Sequence, residues 1–278
     1  VKAKGLFRDL RMDAMLGKSA VVEKALRQAI EDLEAYHGIP IEALAERYWT
    51  SPKGPKETTS EALRVFYAQS IRYLYESTYT EGYLDHQRLA QTVLRWIQGG
   101  DRQPVLDFGG GGGGLALALA KAGVEVEYAD VPGVLTDFVR WRFERHGVSI
   151  PILDVAQPLP KRRYGSILAV DVLEHLSNLE EDLNRLSCAL RPGGWLVVTH
   201  SFGGDDPLHL ASSQVFADWD RFNRWMESRG WDYGGRLKPD PISEWIQRTW
   251  QIPVVFGIRL SRRRKAGGNL CIYRTRPV

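Results

Sequence analysis

Cysteine, net charge and long apolar runs are all scarce in this chain. Two cysteines among 278 residues, Cys188 and Cys271, cannot build a disulfide framework, so a reducing, cytoplasmic setting is expected. No apolar run approaches the roughly 18 residues of a membrane span. No signal peptide is expected either, because Val1 to Leu16 is interrupted by Lys2, Lys4, Arg8, Asp9, Arg11 and Asp13. A net charge of +3 is weak, so nucleic acid, which is bound chiefly by phosphate neutralisation, is not the expected partner. The one dense basic run, Arg262-Arg263-Arg264-Lys265, could bind a phosphate or RNA, but with no aromatics interleaved it reads first as a solvated hairpin tip. No Cys-x-x-Cys pair or His/Cys cluster calls for a metal. Tryptophan is not scarce: six of the nine lie after residue 190, as an aromatic core or as the wall of a pocket.

What the chain has in excess is glycine in one place. Val105-Leu106-Asp107-Phe108 is followed by six glycines, Gly109 to Gly114, and then by Leu115-Ala116-Leu117-Ala118-Leu119-Ala120. That order is strand, tight turn, helix. Each glycine loses roughly 0.5–1 kcal/mol of backbone entropy relative to alanine, so six together imply a ligand close to the backbone at a helix N-terminus. Two loop patterns fit. Gly109-x-Gly111-x-x-Gly114 satisfies the dinucleotide fingerprint. Asp107-x-Gly109-x-Gly111-x-Gly113 resembles the loop of the class I S-adenosylmethionine (SAM) methyltransferases. Asp107 favours the second, since a carboxylate there repels a pyrophosphate and tolerates a sulfonium.

The segments that follow alternate strand and helix. Val124 to Asp130 reads as the second strand, Pro132 to His146 as a helix with a basic exposed side (Arg140, Arg142, Arg145), and Val148 to Asp154 as the third strand. Tyr164 to Asp171 is the fourth, a helix covers Asn178 to Leu190, and Leu190-Arg191-Pro192-Gly193-Gly194-Trp195-Leu196 turns into the fifth. Short strand–helix units of this kind build a parallel, doubly wound sheet with ligands at the carboxyl ends of its strands, where Asp107, Asp130, Asp154 and Asp171 all sit. Asp130 lies 23 residues past Asp107, near the spacing at which an acid takes ribose hydroxyls.

Asp171-Val172-Leu173-Glu174-His175 resembles the D-V-L-E-H segment of small-molecule methyltransferases, and the L-x-P-G-G-x-L turn resembles that family's entry to strand five. The resemblance covers about Val105 to Ser201 and implies a seven-stranded, mostly parallel sheet whose last strand is antiparallel, with SAM as cofactor. It implies that Asp107, Gly109, Gly110, Gly111 and Gly113 cradle the cofactor. Asp130, with Val131 beside it, would hold the ribose, Asp154 and Val155 the adenine, and Asp171 would complete the site. Asp154 also reads as a simple turn former. Tyr79 or Arg88, upstream of the loop, would hold the methionine carboxylate. An NAD(P)-dependent oxidoreductase stays as an alternative reading, as do RNA or protein as acceptors.

Residues 1–100 read as an all-helical appendage that shapes an acceptor pocket or packs the molecule, and 101–278 as the core. Helices are expected over Ser19 to Tyr36, Pro40 to Trp49, from Thr59 or Ser60 through Leu74, and over Tyr83 to Ile97. Tyr75, Tyr79 and Tyr83 share a face if that helix runs unbroken through Gly82. Deleting residues 1–60 is expected to spare cofactor binding. Beyond the core, a helix is expected over Ser213 to Arg229, irregular chain over Trp231 to Trp250, and a hairpin of Val254 to Ser261 with Asn269 to Thr275. Methyl transfer mainly needs positioning and exclusion of water, and a neutral acceptor also needs a base. His209, then His200 and His175, are the candidates for it.

Overall fold

Five helices precede the first strand: α1 (Ala20–His37), α2 (Ile41–Thr50), α3 (Ser60–Gln69), α4 (Ile71–Thr80) and α5 (Leu84–Gln98). The structure, a computed structural model, describes residues 20–55, 57, 59–81, 84–199, 202, 208, 210, 216, 218–237 and 270–275. The helix expected to run through Leu74 is two helices. Ser70 leaves the helical region at ψ 102° and its Oγ accepts from Tyr73 N at 3.0 Å, capping α4. A serine hydroxyl competes well for backbone N–H groups, and here it re-starts the chain in a new direction. Helix α4 ends at Thr80, so the tyrosine face stops at Tyr79; Gly82 and Tyr83 lie outside the described residues.

The core alternates as expected: β1 (Val105–Phe108), α6 (Gly114–Lys121), β2 (Val126–Asp130), α7 (Val134–Arg145), β3 (Ile152–Asp154), β4 (Tyr164–Val170), α8 (Leu179–Ala189) and β5 (Leu190–Thr199). After it come α9 (Trp219–Ser228), β6 (Trp231–Arg236) and β7 (Cys271–Thr275). The seven strands are ordered β3-β2-β1-β4-β5-β7-β6, and only β7 runs against the rest. Strand β2 is buried throughout although its sequence alternates, because an interior parallel strand is covered on both faces. Its buried Glu127 is held by Arg163 and by Tyr164 Oη at 2.5 Å.

Three expectations change here. Trp231–Arg236, read as irregular, is a strand, because β7 offers it a ladder that local pattern does not reveal. Helix α9 begins at Trp219, where Asp218 accepts from Asp220 N and Arg221 N. The third strand is only Ile152–Asp154. Val254 to Ser261 and the basic run 262–265 lie outside the described residues. Among the described residues no helix is long and apolar enough to cross a membrane.

Alternate residues of each strand feed two apolar layers. Val105, Tyr128, Leu168 and Val197 face one layer, which also contains Leu26 and Leu33 of α1, Leu74 and Tyr75 of α4, and Phe138 of α7. Leu106, Ala129, Ile167 and Leu196 face the other, with α8 and α9. The N-terminal helices therefore share one continuous core with the sheet.

Candidate functional site

Strand order reverses between β1 and β4, and the chain leaves both strands at the same edge, as ligand crevices in such sheets require. A cavity of about 520 Å³ opens there, lined by Asp107, Gly109 to Gly112, Glu81 and Glu174. A second, of about 170 Å³, is lined by Asp130, Val131, Val155, Val172 and Tyr67. Tyr73, Gly109, Asp171 and His175 line both, so the two cavities adjoin.

Asp130, at the end of β2, accepts from Gly111 N at 3.0 Å and from Val131 N at 2.7 Å. Tyr128 Oη donates to Gly111 O at 2.7 Å, so strand β2 grips the glycine loop from both sides of one peptide. Burial pushes the Asp130 carboxyl up to about 6 against these hydrogen bonds. Asp107, at the end of β1, is 2% exposed, and its Oδ2 has no hydrogen-bond partner. Burial pushes it up to about 7, helped by the neighbouring charges of Asp130 and Glu81 and opposed by a hydrogen bond from the Ala116 N–H. A Cβ at Gly110 would lie 2.7 Å from the Tyr128 ring and 2.8 Å from that same Oδ2, so only glycine fits.

Asp171 follows β4 at φ +52°, a left-handed conformation that aspartate tolerates better than most residues. Its Oδ1 accepts from Thr199 Oγ1 at 2.9 Å, which ties the ends of β4 and β5 together. His175 ends the short turn Leu173–His175, with Nδ1 3.0 Å from Leu208 O. A carbonyl only accepts, so Nδ1 carries the proton and Nε2 is unprotonated in the neutral ring. The Tyr67 ring lies edge-on to it at 6.2 Å.

The cradle suits a positively charged ligand. A helix N-terminus is ordinarily an anion site, but at α6 the Glu81 carboxylate already occupies it, accepting from Gly114 N at 3.0 Å. With the unpaired Oδ2 of Asp107 on the same cavity, a pyrophosphate would meet two carboxyl groups, whereas the sulfonium and ammonium of SAM would meet complementary charge.

Most of the expected cofactor residues come together: Asp107, Gly109, Gly110 and Gly111 on the larger cavity, Asp130, Val131 and Val155 on the smaller, and Asp171 on both. Four do not. Tyr79 is 8% exposed and packs among core residues with Tyr48, because the end of α4 turns that face inward. Asp154 turns back onto Ala156 N at 2.8 Å, the turn-forming role it also suggested. Gly113 sets the turn into α6 and backs onto Val139 and Phe143 rather than a cavity. Arg88, on α5, lines neither cavity, although its neighbours Gln87 and Leu89 line the larger one. His200 and His209 lie outside the described residues. Arg142, read as exposed, is 2% exposed. Sequence reading missed Glu81 and Tyr73 as cavity residues; the run of tyrosines before the loop was the available signal for Tyr73, and no signal marked Glu81.

A family model described as "Methyltransferase domain" matches residues 81–234, more than half of the chain. No curated protein matches it in a sequence search. Among solved structures the chain is similar to the CurJ carbon methyltransferase, at 15% identity over 73% of this chain and 58% of that one, with a TM-score of 0.51. It spans little more than half of that protein, and the likeness is one of fold. It is also similar to a SAM-dependent methyltransferase from Aquifex aeolicus (16% identity, 70% and 94% covered, TM-score 0.47) and to the [4+2]-cyclase SpnF (16%, 69% and 82%, 0.46). With the family model matched from Glu81 into β6, and the strands in the order β3-β2-β1-β4-β5-β7-β6, the chain belongs to the methyltransferase-domain family.

Proposed function

We propose that this enzyme methylates a small molecule held between the N-terminal helices, residues 1–100, and the strand ends of the core, residues 101–278. The observation that carries this reading is the pair of adjoining cavities. The larger is within the usual size of small-molecule sites, and its carboxylate-rich wall would oppose a phosphate backbone. When bound, SAM supplies the methyl group on a sulfonium. Asp107 and Gly109 to Gly111 would hold its amino-acid end, Asp130 and Val131 its ribose, and Val155 its adenine. These residues orient the cofactor, and the helices over the cavity exclude water.

The chain's own proton chemistry centres on His175. Its ring lines both cavities, and the hydrogen bond between Nδ1 and Leu208 O fixes the orientation in which it would take the acceptor's proton. His209 and His200 are the other candidates for this role. His175→Ala should lower kcat by about 10²–10⁴ while leaving adenosylhomocysteine affinity unchanged. An unchanged kcat removes His175 from this role. Labelled methyl transferred in a lysate to RNA or protein rather than to small molecules would sink the acceptor reading.

A further inference from the structure

The six glycines do not all face the same thing. A Cβ at Gly112 or Gly114 would lie 2.5 Å or 2.2 Å from the Glu81 carboxyl group. Gly112 and Gly114 thus make room for a side chain of this protein while also lining the larger cavity. Glu81 sits just past the end of α4 and caps α6 through Gly114 N. Arg142 Nη1 lies 2.8 and 2.9 Å from the two Glu81 oxygens and 2.6 Å from Gly112 O, so one guanidinium holds the carboxylate and the loop together. Its Nε donates at 2.8 Å to Asp32 of α1, whose side chain is fully buried. Asp32 is also met by His146 Nε2 at 2.9 Å and Arg145 Nε at 3.2 Å. Asp32 lines neither cavity, but Arg142 and Gln28, whose Nε2 donates to Asp32 at 3.2 Å, both line the larger one.

We propose that Asp32, Arg142 and Glu81 form a clamp that makes the N-terminal helices part of the cofactor site, with Glu81 standing where a phosphate would otherwise bind. The proposal rests on reading the glycine loop as the SAM site. Glu81 and Asp32 are positioning residues: they fix residues 112–114 from α4 and α1, two elements that deletion of residues 1–60 would separate. That deletion removes Asp32, one of the two carboxylates that hold Arg142 against the loop, so it weakens cofactor binding instead of sparing it.

The test uses the full chain and adenosylhomocysteine, followed by calorimetry. Glu81→Gln keeps the shape and removes the charge; Asp32→Asn does the same one step further away. Each should weaken binding about 10-fold or more, since charge-assisted hydrogen bonds are the strong ones. The double variant should lose less than the two effects combined, because both act through Arg142. Glu81→Gln should also respond to inorganic phosphate at the amide of Gly114, and the wild type should not. A merely structural role would not create that response. Should a variant fail to fold, hydrogen exchange on the wild type decides: by reciprocity, adenosylhomocysteine must slow exchange in residues 20–37. Unchanged affinity in both variants, a phosphate response in the wild type, or no added protection of α1 each overturn the clamp. A wild type that binds no adenosylhomocysteine overturns the cofactor reading instead.

Discussion

Asp107 and Asp130 end neighbouring parallel strands and look equivalent, yet the fold uses them in opposite ways. Asp130 is engaged on all sides: Gly111 N and Val131 N donate to it, and Tyr128 Oη lies 3.3 Å away. Asp107 is as deeply buried but keeps one oxygen without a partner. A buried polar atom left unpaired is destabilising, and such atoms are concentrated where a ligand completes them. The first strand end thus keeps an unpaired oxygen on a residue that lines the larger cavity, while the second holds the loop, although Asp130 also faces a cavity.

The largest way to break this difference is Asp130→Ala. It strands two backbone N–H groups, so unfolding stability should fall by about 3–4 kcal/mol in urea titrations, with cofactor affinity falling too. If affinity falls and stability does not, Asp130 serves the ligand alone.

A smaller effect of opposite sign is expected from Asp107→Asn. The folded carboxyl titrates near 7 and the unfolded one near 3.8, so the folded state binds the extra proton between those values. Asp107 therefore favours the fold fully below about pH 4, and that contribution is lost as pH rises through 7. The variant should match the wild type in stability near pH 4 and exceed it at pH 8 without cofactor, while binding adenosylhomocysteine more weakly. Parallel pH–stability curves for the two proteins would refute a raised Asp107.

The smallest effect sharpens the comparison by serving as its control. Gly123, at the end of α6, has φ +80° and nothing within 4 Å of where an alanine methyl would sit, so Gly123→Ala should cost only left-handed strain, about 1 kcal/mol. Cofactor affinity should not change; a large loss there would mean that α6 transmits strain to the loop generally.

Much of this architecture is legible locally. The apolar run to Asp107, the glycines and the Ala/Leu helix state strand, turn and helix in order, and the Pro192-Gly193-Gly194 turn marks the entry to β5. The break at Ser70 was less legible, since serine suits a cap, a turn or an exposed helical position equally, and only the packing of α4 chooses. Strand β6 was missed for a similar reason: Asp232, Gly234 and Gly235 are poor strand formers, and the ladder to β7 overrides them.

By itself the sequence determined the order of strands and helices, the cradle and the row of carboxylates at the strand ends, because periodicity, turn chemistry and chain direction act over a few residues. Tertiary structure alone decided which carboxylate oxygen is left unpaired and which residues hold the loop. Asp32 and Arg142 lie 110 residues apart, and Glu81 and Gly114 lie 33 apart. Arg142 carries the same local pattern as its exposed neighbours Arg140 and Arg145, and its burial follows from α1 and α4 packing over α7. No spacing rule reaches across such distances, because the charge on a buried side chain is balanced by whatever the fold brings beside it.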